Sequence, residues 1–229
     1  MDRQAEKALV GETAAIEYVK DGMTVGLGTG STAFYVIKTM GEMIKAGMNL
    51  KGVATSKATE KLASEYGIQL VDINEVEELD IAIDGADEID ANFFAIKGGG
   101  GALLREKIIA SAAKTFIVVA DGSKKVQTLG HFPLPVEVVP FGYKQTEKAI
   151  QKLGCKTELR MKDEEIYLTD NGNYIIDCSF SSIQNPKQLH QTLNNIVGVV
   201  ENGLFIHMVD VLISVNKQDE IIVDIAKNE

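Results

Sequence analysis

Short apolar runs alternate with helical patterns through the first half of the chain. Residues 23–28 read as a buried strand and 32–46 as the helix after it; 51–55 and 59–66 repeat the pair. Strand patterns follow at 68–73, 80–83 and 93–96, then a helix at 102–113 and a strand at 115–120. Alternation of this kind predicts βαβ units and a mainly parallel sheet. Near Gly130 the pattern changes. Pro133, Pro135 and Pro140 bracket an extended segment at 136–139, and a helix pattern covers 144–153. Strands are predicted at 156–160, 166–169 and 174–178, with Asp170-Asn-Gly-Asn as a hairpin turn. Pro186 opens a helix over 187–197, at a position where proline is tolerated. Two last strands, 209–215 and 221–225, are placed to complete the first sheet. The predicted architecture is therefore α/β. A Rossmann-like, mainly parallel sheet domain (1–129 plus 206–229) carries a smaller inserted α+β, ferredoxin-like domain (130–205).

Composition narrows the function classes. The 229 residues carry a net charge of −10, spread along the chain, so no basic footprint for nucleic acid is expected. The N-terminal segment reads as an amphipathic helix of mixed charge and not as a signal peptide, and no apolar run reaches membrane-spanning length. With Cys155 and Cys178 the only cysteines, the expectation is a reduced, cytoplasmic protein in which both thiols pack.

Four segments carry chemistry. Gly26-Leu-Gly-Thr-Gly-Ser-Thr32 lies between a strand and a helix, where backbone N–H groups receive a phosphate and Ser31 and Thr32 add hydroxyls or cap the helix. The dinucleotide fingerprint fails: Ser31 stands where a glycine is wanted, and Thr55-Ser56-Lys57 replaces the acidic residue at the next strand end. A small phosphate ester, or a purely structural turn, remains. Asp84-Gly-Ala-Asp87 follows another strand and reads either as a solvated turn or as carboxylates that hold sugar hydroxyls. A calcium loop is excluded by its spacing.

The third segment is Lys97 followed by Gly98 to Gly101, a run that costs backbone entropy and calls for close approach of a ligand. It leads into a helix bearing Arg105, Glu106 and Lys107. By helical period Glu106 lies opposite Leu104 and Ile108, which predicts a solvated position, yet Leu103 and Ile109 flank it at i−3 and i+3. In apolar surroundings such a carboxylate becomes a usable general base. The fourth segment, Asp121-Gly-Ser-Lys124-Lys125, offers a lysine to a phosphate or sugar oxygen. His131, His190 and His207 fall outside these loops, and no metal site is expected.

In this order the segments resemble ribose-5-phosphate isomerase, type A. The resemblance rests on GLGTGSTA at 26–33, SKAT at 56–59, DGADEID at 84–90, KGGGGALLREKIIA at 97–110, ADGSK at 120–124 and FPLPVEV at 132–138, and it covers nearly the whole chain. It implies an aldose–ketose isomerase that interconverts ribose 5-phosphate and ribulose 5-phosphate, works without metal or organic cofactor, and forms a homodimer or dimer of dimers. It implies Glu106 as catalytic base, with Asp84, Asp87 and Lys97 also in the catalytic set. It implies substrate contacts from Thr29, Gly30, Ser31, Thr32, Asp84, Gly85, Ala86, Asp87, Lys97, Gly98, Gly99, Gly100 and Lys124. Some members carry alanine where this chain has Gly101, and little effect is expected from that difference. The alternatives are a non-enzymatic sugar-phosphate sensor on a similar scaffold, a coenzyme A transferase and a dinucleotide oxidoreductase.

Overall fold

The computed structural model describes residues 1–216 and 218–226; residues 217 and 227–229, which the predicted first domain takes in, lie outside the described residues. In chain order the elements are α1 (Arg3–Tyr18), β1 (Thr24–Leu27), α2 (Ala33–Lys45), β2 (Lys51–Ala54), α3 (Lys57–Glu65) and β3 (Gln69–Leu70). Then come β4 (Ile81–Gly85), β5 (Glu88–Ile89), β6 (Ala95–Ile96), α4 (Leu103–Ser111) and β7 (Phe116–Ala120). The second half holds β8 (Leu134–Val138), α5 (Tyr143–Gln151), β9 (Lys156–Leu159), β10 (Met161–Lys162), β11 (Glu165–Ile166) and β12 (Tyr174–Ser179). It ends with α6 (Pro186–Asn194), β13 (Val199–Asn202), β14 (Leu204–Phe205), β15 (Val211–Val215) and β16 (Ile221–Ile225).

The chain forms two compact units: 1–86, 105–125 and 208–229 make the first, and 87–104 with 126–207 the second. The second unit therefore takes in 87–104, a stretch that the predicted division assigned to the first domain. The reason is strand pairing, since β5 and β6 join β14 in a small sheet of their own. Of these, β6 falls within the strand expected at 93–96, whereas the two-residue β5 and β14 have no period to read.

The first unit is built on a sheet in the order β16-β15-β7-β4-β1-β2-β3. All its pairs are parallel except β15 with β16, which confirms that the two last strands complete this sheet. Its interior strands bury nearly every side chain, as a parallel sheet covered on both faces requires. Leu27, Ile37, Met40, Ile83, Ile117 and Ile213 belong to one buried cluster. Gly11 lets α1 lie directly on α2, because a Cβ there would sit 2.8 Å from the Tyr35 Cβ.

The second unit contains β8-α5-β9-β12-α6-β13, with an antiparallel sheet in the order β13-β8-β12-β9. This is the ferredoxin-like arrangement. One predicted hairpin moves. The turn at 170–173 does close, through Thr169 and Asn173, but β12 pairs with β8 and β9. The tight ladder forms instead between β10 and β11 around Asp163 and Glu164, both at positive φ. Likewise the strand predicted over 68–73 shortens to β3, because Asp72 caps a single 3-10 turn at Ile73–Glu75.

Among the described residues no helix is long and apolar enough to cross a membrane. Cys155 and Cys178 are free and buried in the second unit. The Cys155 sulfur beside it, together with burial, pushes the Cys178 thiol up, so it stays protonated through the physiological range. Both thiols are expected to resist an aromatic disulfide reagent at pH 8 in the native protein and to react on unfolding in urea. Rapid reaction of Cys178 in the native state would contradict that.

Candidate active site

The strand order reverses between β1 and β4, with β2 and β3 on one side and β7 and β15 on the other. Ligands of open parallel sheets bind beyond the carboxyl ends of the strands at such a switch point. Here the turn after β1 is tied to the end of β4. The Gly28 N–H donates to the Ile83 carbonyl at 3.0 Å, and the Thr29 N–H to the Asp84 Oδ1, also at 3.0 Å. The Gly85 N–H donates to the same Oδ1 at 2.7 Å. Asp84 is buried, and a Cβ on Gly28 would lie 2.1 Å from that oxygen. So glycine at 28 is a packing requirement, while Gly30, at φ +111°, is a backbone one.

Behind this turn lies a cluster of hydroxyls. Thr29 Oγ1 stands 2.7 Å from Thr55 Oγ1, 2.8 Å from Ser56 Oγ and 3.0 Å from Thr59 Oγ1. Thr59 also donates to the Gly28 carbonyl and Thr55 to the Leu27 carbonyl. The segment Thr55-Ser56-Lys-Ala-Thr59, which lacks the acidic residue of a dinucleotide site, thus anchors the first loop from below. The Thr29 side chain belongs to this inward network. Ser31 and Gly30 are exposed. The expectation that Thr32 caps α2 through its hydroxyl fails: Thr32 is the N-cap residue but makes no side-chain capping bond. Helix N-termini receive anions through their N–H groups and dipole.

Two residues of α1 reach these loops without any sequence signal beyond a mixed-charge helix. Lys7 Nζ donates to Ser31 Oγ at 2.9 Å, and Glu6 Oε2 accepts from the Gly122 N–H at 3.0 Å. The loop after β7 begins at buried Asp121, which caps a 3-10 turn at Gly122–Lys124. Lys125 pairs with Asp224 at 2.9 Å, whereas Lys124 is half-buried.

Glu106 reverses its expected placement. It is 4% exposed, while Ile108 is 46% exposed. Leu103, Glu106, Ile109 and Ala110 form the buried stripe of α4, three to four residues apart. The cause is Gly26. A Cβ at that β1 position would sit 2.5 Å from the Ile109 Cγ2, so the missing side chain lets α4 settle onto the sheet by this face. Lys107 is buried as well, and Arg105 forms a surface pair with Glu60 at 3.8 Å.

The second unit holds the remaining candidates. Lys97 is 2% exposed, with its ammonium 5.3 Å from the Phe205 ring centroid. Its N–H donates to the Gly203 carbonyl. Half-buried Asp87 accepts the Gly99 N–H at 2.8 Å, and the Gly101 N–H closes a turn onto the Gly98 carbonyl at 2.9 Å. Gly101 stands in a left-handed conformation against Tyr167. It has φ +82°, and a Cβ would sit 2.2 Å from the Tyr167 Oη. Among the described residues no group of three His, Cys, Asp or Glu is placed to hold a metal ion.

The fold and the groups at its strand ends define a Rossmann-like α/β protein with a glycine-rich turn at its switch point and a buried glutamate on a neighbouring helix. The family model for ribose 5-phosphate isomerase A (phosphoriboisomerase A) matches residues 51–219. A ribose-5-phosphate isomerase A of Bacillus mycoides is 55% identical over 203 residues, which cover 88% of this chain and 91% of the relative. Among solved structures, the ribose 5-phosphate isomerase from Plasmodium falciparum superposes with a TM-score of 0.96 at 36% identity, covering 98% of this chain and 100% of that one. A D-ribose-5-phosphate isomerase in complex with phospho-erythronic acid superposes with a TM-score of 0.94 at 39% identity, again over 98% and 100% of the two chains. The chain belongs to the ribose 5-phosphate isomerase A family.

The packing of Gly28 against Asp84 is directly testable by a double-mutant cycle. Gly28→Ala is expected to cost about 1–3 kcal/mol in urea melts through overpacking. Combined with Asp84→Ala, the two costs should fall short of additivity by roughly 1 kcal/mol or more, as for residues in contact. Strict additivity would show that the turn is held by something else.

Proposed function

We propose that Glu106 is the base that moves a proton between C1 and C2 of ribose 5-phosphate, through an enediolate, to give ribulose 5-phosphate. As a member of its family the chain is an enzyme, an aldose–ketose isomerase. The observation that carries the assignment of the base is the burial of Glu106. Removing a carboxylate from water costs several kcal/mol, so such a residue is kept for a reason. A sensor that only bound the sugar phosphate would have no use for it.

The remaining roles follow from the chemistry. The phosphate sits at the start of α2, on the N–H groups of the loop at Gly30 to Thr32, with Lys7 and Lys124 as its cations. It does not react, so its binding energy orients the other end of the sugar. Lys97 and the N–H groups of the glycine run stabilise the negative oxygen of the enediolate. Asp84 and Asp87 accept hydrogen bonds from sugar hydroxyls, and one of them trades protons with the ring oxygen to open the ring. One carboxylate and fixed donors suffice for this proton transfer, as in triosephosphate isomerase. Neither a metal nor an organic cofactor is needed. The relative solved with phospho-erythronic acid supports this reading. That acid phosphate presents a carboxylate where the enediolate would carry its charge. The enzyme acts in the cytoplasm as a homodimer or dimer of dimers, and residues 1–129 with 206–229 form its catalytic domain.

Turnover of ribose 5-phosphate is expected to persist in excess chelator. Glu106→Gln should lower kcat by roughly 10²–10⁴-fold, the usual worth of a positioned base, with phospho-erythronate binding retained. Lys97→Ala should lower kcat by about 10²–10³-fold, as loss of an oxyanion donor does. Undiminished turnover in Glu106→Gln would remove that residue from the mechanism, and a change in affinity alone would make Lys97 a binding residue.

A further inference from the structure

The second unit contains a charged pair that the isomerase reading does not use. Arg160 follows β9 and faces Asp177 of β12; their side chains are 14% and 23% exposed. The pair is forked: Nε donates to Asp177 Oδ2 at 2.8 Å and Nη2 to Oδ1. That leaves Nη1, which turns to the glycine run. It donates to the Gly98 carbonyl at 2.9 Å and to the Gly99 carbonyl at 3.2 Å. Tyr167 Oη approaches the next carbonyl, that of Gly100, at 3.4 Å.

A peptide group is planar and trans, so its N–H points opposite to its carbonyl. Drawing the Gly98 carbonyl towards Arg160 therefore directs the Gly99 N–H away from it, and that N–H meets Asp87 Oδ2 at 2.8 Å. Drawing the Gly99 carbonyl the same way directs the Gly100 N–H to the same far side. Gly99 and Gly100 are exposed, whereas Gly98 and Gly101 are buried. A run of four glycines has no side chains to fix its peptide planes, and glycine has more backbone freedom than any other residue. An external clamp on its carbonyls supplies what the sequence of the run cannot.

We propose that Arg160, held by Asp177, is a positioning residue for catalysis. It sets the direction of the Gly99 and Gly100 peptides, and so the alignment with the reacting end of the sugar of the Gly100 N–H and, through the Gly99 N–H, of the Asp87 carboxylate. The proposal rests on the reading that the glycine run meets the substrate. Only a guanidinium does this work. Its planar fork grips the carboxylate with two nitrogens and keeps a third for the carbonyls, which a lysine ammonium cannot do. Misplacing groups around a reacting centre by about 1 Å can cost on the order of 100-fold in rate.

The test has two arms. In the wild-type enzyme, ¹⁵N-labelled amide spectra are recorded while phospho-erythronate is added, and the Gly99 and Gly100 signals are followed. If they do not move, the glycine run does not meet the ligand, and the reading beneath the proposal fails. If they move, kinetics decide. Arg160→Ala is expected to lose about 100-fold in kcat with KM changed by less than about fivefold, and millimolar guanidinium should restore part of the rate. Arg160→Lys, which keeps charge and bulk, should be impaired almost as much, and it carries the test if the alanine variant does not fold. Wild-type kcat in a folded Arg160→Lys, or loss in Arg160→Ala confined to KM without guanidinium rescue, would overturn the proposal.

Discussion

Asp84 ends a buried strand, and two backbone N–H groups donate to one of its oxygens. One of these belongs to Thr29, in the turn after the neighbouring strand. The carboxylate therefore joins the ends of β1 and β4 at the point where the sheet reverses its order. The turn can approach it because Gly28 has no side chain. Much else depends on this contact. It sets where Gly30 to Thr32 stand at the start of α2, and the hydroxyls of Thr55, Ser56 and Thr59 then hold the loop from the opposite side. A hydrogen bond from N–H to an ionised carboxylate is stronger and shorter than one between neutral partners. Such bonds suit a turn that must keep its shape.

The same economy of side chains recurs under α4. Gly26 makes room for Ile109, and that seats the helix with Glu106 on its buried face. A carboxylate and a lysine, Glu106 and Lys107, are carried inside by a helix whose exposed face shows Ile108. Stability alone would exchange these positions. An arrangement that breaks the local rule for burial is expected at a functional site.

The sheet was legible because its strands are apolar runs of four or five residues between helices, and βαβ order leaves few topologies. The turn after β1 was legible because closely spaced glycines between a strand and a helix mark a tight connection. The orientation of α4 was not, since its cause is a glycine some eighty residues earlier, on β1, and periodicity within the helix points the wrong way at Ile108. Lys7 and Glu6 were hidden for a similar reason. They look like the polar face of a surface helix, and only packing at Gly11 brings that helix to the loops. The strands β5 and β14 are too short to carry a pattern, so periodicity gives no sign that 87–104 groups with 126–207.

In the proposed reaction one buried carboxylate, Glu106, faces the carbons between which the proton moves. An epoxide analogue of the pentose phosphate, reactive at C1–C2, tests it most directly, because only a carboxylate held against those carbons is esterified. Peptide mass spectrometry of the inactivated enzyme should find a single ester on Glu106, formed more slowly in the presence of phospho-erythronate. An ester on Asp84 or Asp87, with Glu106 unmodified, would contradict the account.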